Sequence, residues 1–485
     1  MDNKNLIISD MHKIPEIEGP IPVSENSHPF CDMMHARVPL DVRNYGYLEE
    51  EYFVSGSANV YDVDENRNVI IDGSPLEYKT RILVRKPANV KDFSGRVYFD
   101  ILNATQGYDI EDLWHRNYLW CMTHGHGYVG ITSKPVNVQS LKNFDYDRYK
   151  TLCFPSHEPV PMPTISKSAT LPGTEEGLIW DMIAQVATAI KTNSNPCFKG
   201  YQIEELYLTG QSQSGAYLNT FASNFDEYIN ADQCIIDGYL NIVGALVERS
   251  IRQEDTMGPL RLFLRDMKPI KTPYICISSE ADLYLFNYFL DGNLMNVRIP
   301  NSDTANNKCR YYEIPGAPHT DIICPVLTAV EEIEKTGAKM PNLDEKLLHG
   351  INDFPTEFYI CGILEKLHQW AVTGQAPEEI GVIERSETDL KRDSHGNALG
   401  GFRTPFLDVP IGTYIASNPE DPEGISGKLI LFTKEQFLKE YDSKESYLTK
   451  FKAMVEAQKR DGWVDEIDAE KMITWAMHTV EKIVS

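Results

Sequence analysis

The chain has 485 residues and a formal net charge of −25, with 42% apolar and 24% charged residues. That length buries a large core, in one large α/β domain with an appendage or in two or three domains. The acidic balance argues against nucleic acid or an anionic membrane as partner, because both demand a basic face. No apolar run reaches the roughly 18 residues of a membrane-spanning helix. The first residues, Met1 to Lys13, lack the apolar core of a signal peptide. Nine cysteines are scattered singly without a C-x-x-C pair, which reads as reduced, mostly buried thiols and a cytoplasmic setting.

Residues 1–45 are polar and interrupted by Pro15, Pro20, Pro22, Pro29 and Pro39. They are expected to form an irregular arm, available to a lid or a homodimer contact. From residue 46 to about 105, short β-rich runs alternate with turn signals at Asp72-Gly73-Ser74-Pro75 and Ser94-Gly95. Tyr78 to Val84 and Val97 to Leu102 are the clearest. Antiparallel hairpins leading into a sheet are predicted. The period then changes. A helix is predicted over 111–123, a strand over 127–132 and a long amphipathic helix over 175–192. Strands alternating with helices imply a mostly parallel sheet covered on both faces.

The strand predicted at 205–209 runs into Gly210-Gln211-Ser212-Gln213-Ser214-Gly215-Ala216, followed by a helical pattern (Tyr217, Leu218, Phe221). A sharp strand-to-helix turn of this kind lifts a serine clear of the backbone, and small residues flank it because the turn brings two backbones together. The helix N-terminus behind it favours a developing negative charge. Ser212 is assigned as nucleophile. Ser214 is the rival, but the apolar run stops at Gly210, which puts Ser212 at the apex and Ser214 inside the helix.

A serine nucleophile needs a histidine base, and the histidine needs an orienting carboxylate. Further strands are predicted over 234–243, 273–277 and 310–314. After the second come Glu280 and Asp282; after the third comes His319, on a Gly/Pro-shaped loop. Asp282 is assigned as the acid, with Glu280 as the alternative and Glu248 a weaker third. Asp237 reads as a capping or turn residue. The oxyanion donors expected are the Gln213 amide and an amide of Ala104 or Thr105, in the loop after 97–102. Trp114 and His115 are candidates to line the pocket. His124 and His126 have no third ligand at metal spacing, so no metal is expected. Asn103-Ala104-Thr105 matches a glycosylation sequon but follows a predicted strand, so it is expected to stay unmodified.

A helix is predicted over 356–372. The excursions 283–308 and 325–353 follow the proposed catalytic strands and are expected to contribute to a lid. Residues 381–428 show little periodicity. Thr433 to Gln436 reads as a capping box, with further helices over 444–460 and 466–482. The domain reading is therefore an arm (1–45), a core with lid insertions (46–380) and a C-terminal helical appendage (381–485).

Gly210 to Gly215 resembles the G-x-S-Q-S-G elbow of the alpha/beta hydrolase domain family. Tyr47 to Tyr61, Tyr78 to Arg85, Phe93-Ser94-Gly95, Gly400 to Pro405 and the helices of 433–477 are similar to other blocks of that family. The likeness spans residues 46–480. Ala216 stands where the family usually has arginine, and Gln106-Gly107 where it tends to have Gly-Gly. The resemblance implies an α/β-hydrolase fold and hydrolysis of a small carboxylic ester through an acyl-enzyme on Ser212, without metal or organic cofactor. Acyl transfer, thioester cleavage and lyase chemistry use the same triad, and a non-catalytic binding protein on the same scaffold is the alternative of a different class.

Overall fold

A computed structural model of the chain describes residues 2–157, 171, 173–253, 263–264, 267–288, 298–320, 324–338, 351–386, 389–417 and 426–485. It falls into two compact units. The first comprises Met1–Tyr274, Asp303–Lys308 and Cys324–Pro341; the second comprises Ile275–Ser302, Cys309–Ile323 and Asn342–Ser485.

In the first unit, α1 (Asn3–Met11) precedes β1 (Glu16–Glu18), β2 (Tyr47–Ala58), β3 (Leu76–Pro87) and β4 (Arg96–Ile101). Then come α2 (Asp112–His124), β5 (Gly127–Ile131), α3 (Pro135–Phe144), α4 (Ile179–Lys191), β6 (Glu205–Gln211), α5 (Gln213–Ile229) and β7 (Gly238–Ile242). The strands lie in the spatial order β1-β2-β3-β5-β4-β6-β7. The first three pairings, ending with β3 on β5, are antiparallel; β5-β4, β4-β6 and β6-β7 are parallel. The parallel strands are apolar runs, with Val97, Phe99, Val129, Leu206 and Leu208 wholly buried, as a sheet covered on both faces requires. In register, Ile101 lies beside Gly210 and Gln211 beside Ile242. The loop after β4 and the turn after β6 thus leave neighbouring carboxyl ends, where open α/β sheets bind ligands.

The arm is more ordered than its prolines suggest. Asp2 caps α1 by accepting from the Asn5 amide, and Ile7 and Met11 are buried; every proline of the arm lies beyond this helix. The strand expected over 234–243 begins only at Gly238, because Asn230 Oδ1 accepts from the Ile235 and Ile236 amides and holds that stretch as a turn.

The second unit takes in β8 (Tyr274–Ser279) from Ile275 onward, α6 (Glu280–Tyr288), most of β9 (Asn307–Ile314) and α7 (Thr356–Thr373). A hairpin of β10 (Gly412–Ile415) and β11 (Lys428–Leu431) and three helices follow, α8 (Lys434–Tyr441), α9 (Lys444–Arg460) and α10 (Glu466–Val484). The capping box at Thr433 and Gln436 forms as predicted. Aromatic side chains fill this unit's core. Phe402 lies edge-on to Tyr359 and Trp463 at 5.3 and 5.0 Å, and Phe406 edge-on to Phe451 and Trp475 at 5.4 and 4.9 Å. Among the described residues no helix is long and apolar enough to cross a membrane.

Candidate active site

The first unit carries the serine turn. Ser212 has φ 52° and ψ −116°, a conformation that costs a non-glycine residue roughly 1–3 kcal/mol and persists only where the surroundings impose it. Its amide donates to Ile242 O at 2.9 Å and its carbonyl accepts from the Ala216 amide at 3.1 Å. A Cβ on Gly210 would lie 2.4 Å from Ser214 O; one on Gly215 would lie 2.4 Å from Asn241 Oδ1 and 2.8 Å from Gly244 Cα. The turn therefore closes only with glycine at both places. Ser212 is partly exposed, whereas Ser214 is fully buried, its Oγ accepting from Lys134 Nζ at 2.9 Å.

The loop after β4 is fastened to this turn. Asn103 Nδ2 donates to Gln211 O and Gln211 Oε1, both at 2.9 Å. The Ala104 amide donates to Gln213 Oε1 at 3.1 Å. The Thr105 amide is held by Asn103 Oδ1 at 2.7 Å, a turn closed within the loop itself. Asn103 and Ile110 exchange both backbone hydrogen bonds at 3.0 Å. The sequon asparagine is thus buried and occupied.

Behind the loop lies a buried ionic network. Arg81 pairs with Glu51 and Asp109 at 2.9 and 2.8 Å, and Arg85 with Glu111 and Glu49, both at 2.6 Å. Neither guanidinium is exposed. Desolvating such charges costs several kcal/mol per ion unless nearly every donor is used. Here Arg81 also donates to Phe30 O and Thr132 Oγ1, and Arg85 to Cys31 O. Trp114 is part of this packing, fully buried with the Arg85 guanidinium 4.6 Å from its ring centre. His115 is also buried, and burial together with Arg85 and Arg116 pushes its pKa down to about 3; it is a neutral ring.

The second unit carries the other two candidates. Asp282 lies in the first turn of α6, and His319 follows β9. His319 Nδ1 donates to Asp282 Oδ1 at 2.5 Å; a carboxylate can only accept, so this bond puts the proton on Nδ1 and leaves Nε2 as the basic nitrogen. Asp282 Oδ2 accepts from the Ser279 amide at 2.7 Å. Burial raises the Asp282 pKa, with His319 and Ser279 opposing it. Glu280 is also wholly buried but faces other groups. Its oxygens accept from the Gly316 amide at 2.7 Å and from Arg392 at 2.8 Å. It braces the loop before His319.

The remaining candidates lie elsewhere in their own units. Asp237 pairs with Lys191 at 2.6 Å and accepts from the Leu206 amide at 2.7 Å. Glu248 is buried in a two-residue strand paired with Phe263–Leu264. His126 is hydrogen-bonded to Ser94 Oγ through Nδ1, and His124 to Trp120 O. Of the lid stretches, 289–297 and 339–350 lie outside the described residues. Residues 325–329 pair with 35–38 through the Arg37 and Val38 amides, and the helix Val330–Lys335 follows.

Sequence reasoning passed over two features. Lys134, one lysine after a strand, has no motif around it. His28, Asp32 and His35 lie in the arm and form, among the described residues, one group spaced to hold a metal ion. The two rings stack in near-parallel planes 3.6 Å apart, and both Nδ1 atoms address Asp32 at 3.1 and 2.7 Å. Parallel rings send their in-plane lone pairs side by side instead of to one point. Burial works against a charged His28, but Asp32 and the Pro29 carbonyl outweigh it and raise its pKa.

The alpha/beta hydrolase domain family matches residues 17–474. The chain belongs to this family. Solved structures similar to this hydrolase-family chain include a fungal esterase from Rhizomucor miehei, at 11% identity and TM-score 0.32, with 66% of this chain and 85% of the esterase covered. Esterase Est22 aligns at 12% identity and TM-score 0.31, with 63% of this chain and 82% of that one covered. Esterase B from Lactobacillus rhamnosis aligns at 10% identity and TM-score 0.28, with 66% and 87% covered. No curated protein matches the hydrolase-family chain in sequence.

Proposed function

We propose that the chain is a serine hydrolase cleaving the carboxylic ester of a small organic molecule. The observation that carries this reading is the buried Asp282–His319 pair, in a chain that also bends Ser212 into a strained strand-to-helix turn. Ser212 Oγ attacks the ester carbonyl carbon while His319 Nε2 takes its proton, and Asp282 stabilises the imidazolium through Nδ1. The reading therefore requires His319 Nε2 to reach Ser212 Oγ. The negative oxygen of the tetrahedral intermediate is met by the Gln213 and Ala104 amides. Gln213 Oε1, a neutral carbonyl oxygen on the Ala104 amide, stands in for the substrate oxygen and gives way to it. His319 then protonates the leaving alkoxide, and water repeats the sequence on the acyl-enzyme.

The test is hydrolysis of p-nitrophenyl acetate by the full chain. Ser212→Ala should lower kcat at least about 10³-fold, and Asp282→Asn about 10⁴-fold through loss of the correct tautomer. Glu280→Gln should retain the larger part of kcat. Equal turnover by wild type and Ser212→Ala would remove the nucleophile from the reading. Labelling of Ser214 by a serine-directed phosphonate would do the same.

A further inference from the structure

Lys134 lies between β5 and α3 and is wholly buried. An ammonium so placed is costly unless its protons are used. Nζ donates to Leu102 O at 2.7 Å, to Ser214 Oγ at 2.9 Å and to Ser133 Oγ at 3.3 Å. It also lies 4.6 Å from the centre of the Tyr217 ring on α5. The two shorter bonds are the informative ones. Leu102 is the first residue after β4, two before Ala104, and Ser214 directly follows Gln213. One side chain therefore ties the chain entering one proposed oxyanion donor to the chain leaving the other. An apolar residue of similar length would fill the same space without the desolvation cost, so packing alone does not account for a lysine.

We propose that Lys134 is a positioning residue of the ester hydrolysis, setting the separation of the Ala104 and Gln213 amides that receive the developing oxyanion. The proposal rests on the serine-hydrolase reading. Preorganised donors stabilise a transition state only if they stand where charge develops, and a misplacement of about 1 Å costs on the order of 10²-fold in rate.

The clamp is also proton-dependent. Burial pushes the Lys134 pKa down to about 7. Glu176 (from the turn before α4), Asp109 (from the loop after β4) and Asp100 (on β4) oppose that shift, while Arg249, after the strand at 247–248, adds to it. Protonated, Nζ has three N–H donors for its three acceptors; deprotonated, it has two. One of the clamp's three N–H donors is lost as pH rises.

The experiment is kcat and KM for p-nitrophenyl acetate against pH, in the full chain, for wild type, Lys134→Met, Lys134→Arg and Ser214→Ala, with Ser212→Ala as reference. Lys134→Met should lower kcat about 10²-fold with KM within about twofold, and the alkaline fall in the wild-type kcat should vanish. Lys134→Arg should recover part of kcat and hold it at alkaline pH, since a guanidinium stays charged. If Lys134→Met does not fold, Ser214→Ala removes one acceptor instead and should cost about fivefold in kcat. Wild-type kcat and pH profile in Lys134→Met, or in Ser214→Ala, beside an inactive Ser212→Ala would overturn the positioning role alone. Turnover by Ser212→Ala would overturn the hydrolase reading and this proposal with it.

Discussion

Between residues 210 and 216 the backbone takes a shape that Ser212 adopts only under constraint, and its clamps come from distant parts of the sequence. Asn103 grips Gln211, Lys134 grips Ser214, Ile242 receives the Ser212 amide and Gly244 presses on Gly215. Along residues 433–484 the reverse holds. Each helix opens on its own cap, with Thr433, Ser443 and Asp465 accepting from amides two or three residues ahead. Each then contributes a stripe such as Tyr447, Phe451 and Val455 to the core. A region specified by remote contacts fails when one atom is added. A region specified by neighbouring residues loses stability by degrees and keeps its form.

Three substitutions press on that difference. Gly215→Ala should have the largest effect, because the new methyl meets Asn241 Oδ1 at 2.4 Å and the Gly244 backbone; kcat on p-nitrophenyl acetate should fall by about 10²-fold or more as the turn shifts. An unchanged kcat would show that the turn is held more loosely than its contacts imply. Phe451→Ala comes next. It empties a buried ring site against Phe406 and Trp475 and should cost about 3–5 kcal/mol in denaturant unfolding, with kcat of the folded fraction retained. A loss of kcat as large as that of Gly215→Ala would erase the distinction between the two regions. Thr433→Ala should be the mildest, about 1 kcal/mol for one cap, read as a small fall in Tm.

The same difference governs what the sequence makes readable. The C-terminal helices are visible because cap and stripe lie within a few residues of each other. The turn at Ser212 is visible for another reason: its glycines stand at fixed positions beside the serine. The partners that hold it are not visible. Nothing around Lys134 announces that it reaches Ser214, and Asn103 reads as a sequon before it reads as a brace. Glu280 and Asp282 stand two residues apart after one strand, so their spacing leaves either available; the backbone decides which one turns to His319. The helix α1 escaped notice because it buries only Ile7 and Met11 and shows no broad apolar stripe.

The brace that Glu280 forms between Gly316 and Arg392 bears on how the protein is made. A ribosome delivers Glu280 and the loop before His319 well before it delivers Arg392, and folding proceeds from the N-terminal side as chain emerges. Until residue 392 appears, burying Glu280 would place a carboxylate in the interior without its cation, a cost of several kcal/mol. The brace on the histidine loop is therefore completed only after residue 392 has been made. A nascent chain halted before Arg392 would already contain the whole serine turn, while the loop before His319 still lacked the cation that completes its brace.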